Sequence, residues 1–119
     1  MFDNVVVGAA DFEAGARAVR RGAELAGASG GTVHIVTAFR GKSVEALLAE
    51  FRLLASETPV RVQTHPVRSD PVEAITRVAA EEGADLIVLG RGAIHETLGR
   101  LRTHAHAIIQ RSPCPVLSV

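Results

Sequence analysis

Ala84 to Val119 reads ADLIVLGRGAIHETLGRLRTHAHAIIQRSPCPVLSV. Leu86 to Leu89 makes a buried apolar strand, and Gly90-Arg91-Gly92 a loop of glycine and arginine. A helix follows and stops at Ser112-Pro113, and Pro115 to Val119 forms a last short strand. A strand feeding a glycine-containing loop and then a helix N-terminus is how open α/β sheets build phosphate sites, because free backbone N–H groups and the helix dipole converge there. The functional question is whether this loop holds a nucleotide.

The same rhythm runs through the chain before it. Asn4 to Ala9 (NVVVGA) is β-branched without alternation, the pattern of a central parallel strand covered on both faces. Asp11 offers a helix N-cap, and Phe12, Ala16, Val19, Ala23 and Ala26 recur at helical spacing until Gly27 and Gly30-Gly31 end the helix. Thr32 to Phe39 is a second strand. Ser43 caps a second helix with Val44, Leu47, Leu48, Phe51 and Leu54 on one face. Val60 to Val67 alternates and contains Pro66, as an edge strand does. Asp70-Pro71-Val72-Glu73 is a helix start with an N-cap, a proline at the first helical position and a capping-box Glu; the helix runs to Gly83. Strands alternating with crossovers of about a dozen residues or more predict an α/β fold, an open doubly wound parallel sheet in one domain over residues 1–119. Ligands sit outside the carboxyl ends of such strands, at Ala9-Ala10-Asp11 and Gly90-Arg91-Gly92.

Composition narrows the function. Thirteen basic and thirteen acidic side chains cancel, so no global field draws nucleic acid or an anionic membrane, and any anion site must be local. MFDNVVVG carries Asp3 and no basic region before a run too short for a signal peptide. No stretch approaches the ~20 apolar residues that span a bilayer. Cys114 is the only cysteine, so no internal disulfide forms. The expected location is the cytoplasm.

VVVGAAD at the start, AELAGASGGTVHIV, SDPVEAITRVAAEEGADLIVLG and the RSPCPVLSV ending together resemble a universal stress protein domain over essentially the whole chain. The resemblance implies a five-stranded parallel sheet in the order 3-2-1-4-5 with helices on both faces, usually a homodimer, in a family with ATP-binding and non-binding branches. In the binding branch an Asp at the end of the first strand and a residue late in the second contact the nucleoside. The phosphates lie against Gly, two residues, Gly, nine residues, then Gly with Ser or Thr. Counting back from Pro113, Thr103 and Gly92 match. Gly90 stands one residue too close for the first glycine, and Arg102 replaces the third; the Asp position reads Ala10, with Asp11 next, and the second-strand position reads Ala38.

A glycine beside phosphate lets backbone approach closely. Arg102 cannot, although its guanidinium can grip phosphate instead. Losing the Asp removes a charge-assisted hydrogen bond worth ~1.5 to 3 kcal/mol. ATP binding is therefore expected to be weak or lost, and a cyclic or monophosphate ligand suits the short loop better than ATP. The candidate ligands are ATP, AMP and cyclic AMP, and the candidate contacts are Ala9, Ala10, Asp11, Ala38, Gly90, Arg91, Gly92, Arg102, Thr103 and His104. Arg91, Arg100 and Arg102 would rim a helix capped by Thr103, with Asp11 and Glu96 near enough to neutralise them.

No metal site is expected: His104 and His106 are two apart and point to different sides of a helix, His95 finds no companion ligands, and His34 and His65 read as strand residues. Cys114, between two prolines, has no visible base, and no catalytic set assembles, so the protein is expected to be non-enzymatic. Pro115 to Val119 is an uncharged apolar edge that pairing with a second copy would cover, so a homodimer is expected, with a possible protein partner besides.

Overall fold

In the computed structural model, residues 1–9, 12–37, 44–67, 70–90 and 98–119 are described, with residues 98–104 described by their backbone alone. Five strands, β1 (Asn4–Ala9), β2 (Thr32–Thr37), β3 (Arg61–Pro66), β4 (Leu86–Leu89) and β5 (Val116–Ser118), alternate with α1 (Phe12–Ala28), α2 (Val44–Ala55), α3 (Pro71–Glu81) and α4 (Leu98–Arg111). The sheet order is β3-β2-β1-β4-β5, and every neighbouring pair is parallel.

The unalternating apolar runs follow from two cores. Val5, Val7, Val33, Ile35, Leu86 and Val88 pack with Ala18, Val19, Ala23, Leu48 and Phe51 on the side of α1 and α2. Val6, Val36, Ile87 and Leu89 pack with Val72, Ile75, Val78 and Ile108 on the side of α3 and α4. Successive strand residues point to opposite faces, so a strand covered twice is apolar at most positions; in β2 the exceptions are Thr32, His34 and Thr37, all buried. β3, at the edge, alternates in exposure from Arg61 to Thr64, has His65 partly buried as well, and ends at Pro66.

The helix ends carry the expected punctuation with small shifts. Asp70 Oδ2 accepts from the Glu73 N–H at 3.1 Å, with Pro71 in the first turn. Gly27 lies inside α1, and the terminator is Gly30 at φ +67°, after which Gly31 N–H returns to the Ala26 carbonyl at 2.8 Å. That 6→1 bond uses an otherwise orphan carbonyl. The described β2 stops at Thr37; Ala38 and Phe39 lie outside the described residues. Among the described residues no helix is long and apolar enough to cross a membrane.

Candidate functional site

The carboxyl ends of β1 and β4 lie side by side, with Gly8 opposite Leu89 and Ala9 opposite Thr37 on the other flank. Gly90 follows directly. A methyl group there would overlap the Ala14 carbonyl oxygen and stand 2.5 Å from its carbon and 2.9 Å from the Ala14 Cβ. The first turn of α1 therefore rests on the bare backbone of Gly90, which gives this glycine a packing role whether or not a ligand binds. Ala9 is nearly buried and belongs to the core beneath α1. Ala10, Asp11, Ala38, Arg91 and Gly92 lie outside the described residues.

Arg102, Thr103 and His104 fall within α4, and here one expectation needs correcting. α4 begins at Leu98, so Thr103 is its sixth residue and not its N-cap. Leu98, Leu101, Ala105 and Ile108 continue one apolar stripe, and Gly99 costs a helix only about 1 kcal/mol, so nothing stops the helix from starting earlier. The free backbone N–H groups belong to the first turn from Leu98, and the Thr103 N–H lies beyond them.

Two residues near these strand ends escaped the sequence reading. Phe12, expected on the buried stripe, is 48% exposed while its ring stacks on Phe51 with centroids 5.8 Å apart. Thr37 closes β2 with a fully buried hydroxyl that has no hydrogen-bond partner among the described residues. β2 carries polar residues at Thr32, His34 and Thr37, and nothing in that pattern singles Thr37 out. At the C-terminus, Ser112 Oγ accepts from the Cys114 N–H at 3.1 Å and donates to the Cys114 carbonyl at 2.5 Å, tying Cys114 into a local turn.

A polar cluster sits on the α3 face of the sheet. His34, 1% exposed, places Nε2 3.1 Å from Asn4 Oδ1 and Nδ1 3.1 Å from His65 Nε2. Burial lowers the His34 pKa from its ordinary 6.5; the Glu82 carboxylate raises it in part, and His65 lowers it further. Because the native pKa lies below the unfolded one, the unfolded chain takes up the proton first. Stability is then complete above pH 6.5 and falls as pH drops through 6.5 toward the native value. In chelator-treated protein the urea midpoint should decline between about pH 7.5 and 5.5, and His34→Gln should flatten that decline. An equal slope in the variant would remove His34 as its source.

The sequence model of the universal stress protein family matches residues 42–119. No curated protein sequence matches the chain. A universal stress protein solved in complex with cAMP is 31% identical, superposes with a TM-score of 0.85, and shares 99% of this chain and 96% of its own. Protein Rv1636 from Mycobacterium tuberculosis H37Rv is 29% identical at a TM-score of 0.72, over 92% of this chain and 87% of its own. A universal stress protein from Archaeoglobus fulgidus, solved with dAMP, shares the fold at 22% identity and a TM-score of 0.78, over 99% and 97% of the two chains.

Proposed function

The chain belongs to the universal stress protein family, and on that premise we propose that it is a non-enzymatic adenine-nucleotide module that takes cyclic AMP and holds ATP weakly or not at all. The observation that carries this reading is the near full-length likeness, at 31% identity, to a family member solved with cAMP. The nucleoside lies along Ala9, Ala10, Asp11 and Ala38, and the half-exposed Phe12 ring offers a stacking face for the base. Gly90, Arg91 and Gly92 meet the phosphate with Arg102, Thr103 and His104. A single cyclic phosphate needs fewer donors than a triphosphate, and a guanidinium can supply two of them in parallel. Bulk at Arg102, where bare backbone would let a triphosphate lie close, works against ATP.

Calorimetry and thermal shift with cyclic AMP, AMP and ATP test the proposal. Cyclic AMP at a hundred times its dissociation constant should stabilise the protein by ~2.7 kcal/mol, several degrees for a chain of this size. Arg102→Glu should abolish the shift. Silence with all three ligands would leave a domain acting through protein contacts, and ATP binding as tightly as cyclic AMP would sink the steric argument.

The same reading includes a cytoplasmic homodimer. β5 is an edge strand with Leu117 37% exposed and no charged residue, and pairing with a second copy would cover it. Light scattering should give twice the chain mass, and Leu117→Lys should halve it; a wild-type monomer at every concentration would exclude the dimer.

A further inference from the structure

We propose that His34, His65 and Glu82 form a Zn2+ site on the α3 face of the sheet, separate from the nucleotide loops. One ligand atom from each lies within 4.8 Å of those of the other two. The three side chains come from three elements: His34 from the middle of β2, His65 from β3, and Glu82 from the residue that ends α3. Glu82 is held there by its own N–H, which donates to the Val78 carbonyl at 2.9 Å.

The spacing suits a metal. His34 Nδ1 and His65 Nε2 are 3.1 Å apart. Two nitrogens at Zn–N about 2.0 to 2.1 Å in a tetrahedral shell stand roughly 3.3 to 3.4 Å apart, so the pair opens by only a few tenths of an ångström while the rings turn their lone pairs from each other to the ion. A carboxylate completes the kind of nitrogen and oxygen set that borderline divalent ions prefer, and three protein donors leave the fourth position to water.

The surroundings are prepared in the same sense. Asn4 Oδ1 can only accept, so His34 Nε2 carries the proton and the Nδ1 lone pair faces His65. Metal-bound histidines are commonly fixed in this way by an outer acceptor on the second ring nitrogen. Asn4 is itself anchored, since its N–H donates to Asp85 Oδ2 at 2.9 Å and its carbonyl accepts from the Asp85 N–H at 2.8 Å. With His34 Nδ1 accepting, His65 Nε2–H donates. On metal binding the His65 proton moves to its Nδ1 through solvent, so both imidazoles stay neutral, and the Glu82 carboxylate leaves one net positive charge at the site. His65 and Glu82 are only partly buried, which gives the ion a way in. Without metal the two rings still satisfy each other, so the fold does not depend on loading.

Chelator-stripped protein titrated with Zn2+ by calorimetry, and with Co2+ as a spectroscopic probe, decides the matter. The expected result is one equivalent per chain and a visible Co2+ band of a low-coordinate site. Glu82→Gln and His65→Ala should each weaken binding at least about tenfold, and Asn4→Ala by about ten- to a hundredfold through loss of the outer acceptor. His106→Ala, at an exposed position on α4, should leave Zn2+ binding unchanged. Glu82 and His65 are surface-accessible, so circular dichroism should show both variants folded. Binding weaker than about 1 mM, or binding untouched by Glu82→Gln and His65→Ala, would overturn the proposal and leave a hydrogen-bonded histidine pair.

Discussion

Gly90→Ala is expected to cost at least about 3 kcal/mol, at the upper end of overpacking penalties, because the added methyl meets main chain and not the movable tip of a side chain. The atoms it would strike are the carbonyl and Cβ of Ala14 in the first turn of α1. Relief requires the start of α1 to lift off the end of β4. Against a typical total of 5 to 15 kcal/mol that is a large fraction, and Tm should fall by roughly 10 °C. Gly30→Ala serves as the contrast: nothing lies within 4 Å of an added methyl, but φ is +67°, so its cost of about 1 to 2 kcal/mol comes from backbone conformation alone. Urea titrations of both variants separate the two mechanisms. If Gly90→Ala costs no more than Gly30→Ala, the close approach of α1 is not what requires glycine at position 90.

Phe51→Ala should be of similar size or larger, about 3 to 5 kcal/mol. Phe51 is fully buried; Phe12 stacks on its ring, and Gly15 stands close to its Cζ, 2.6 Å from where an added methyl would be. Glycine at 15 makes room for the aromatic ring, so removing the ring leaves a hole that the surrounding alanines of α1 cannot fill. The denaturation midpoint should drop with the slope unchanged, as for a cavity in an intact fold. A loss below about 1 kcal/mol would mean that α2 collapses into the space. Phe12, half in solvent, then loses the face that holds its ring.

That β1 and β4 lie inside a parallel sheet was legible because burial on both faces leaves apolar runs such as VVV and LIVL, whereas the order 3-2-1-4-5 came with the family resemblance. β3 announced its edge position by alternation and Pro66. The start of α4 was not legible: a threonine before a polar stretch looks like a cap, while the apolar spacing that extends the helix back to Leu98 is equally local and decides the outcome. Gly90 was read only as part of a phosphate loop, since its packing partner, Ala14, is distant in sequence and the closeness of α1 has no sequence mark. His34 and His65 were placed on strands, but their meeting depends on register: His34 stands opposite Gln63, and His65 lies two residues further along the same face. Glu82 joins them only through the return of α3. Ala10, Asp11, Ala38, Arg91 and Gly92 lie outside the described residues, so their proposed contacts rest on the family likeness.

β1 pairs with β2 on one flank and β4 on the other, so the strand that precedes the other four in sequence occupies the middle of the finished sheet. Its second neighbour is encoded some eighty residues later: Asp85 is the residue whose carboxylate takes the N–H groups of Asp3 and Asn4. At synthesis rates of 5 to 20 residues per second, roughly 4 to 16 seconds separate the emergence of β1 from that of its second partner, β4. For that interval Val5, Val6 and Val7 present an open seam on the ribosome, and the nascent chain is most exposed there to pairing with a stranger.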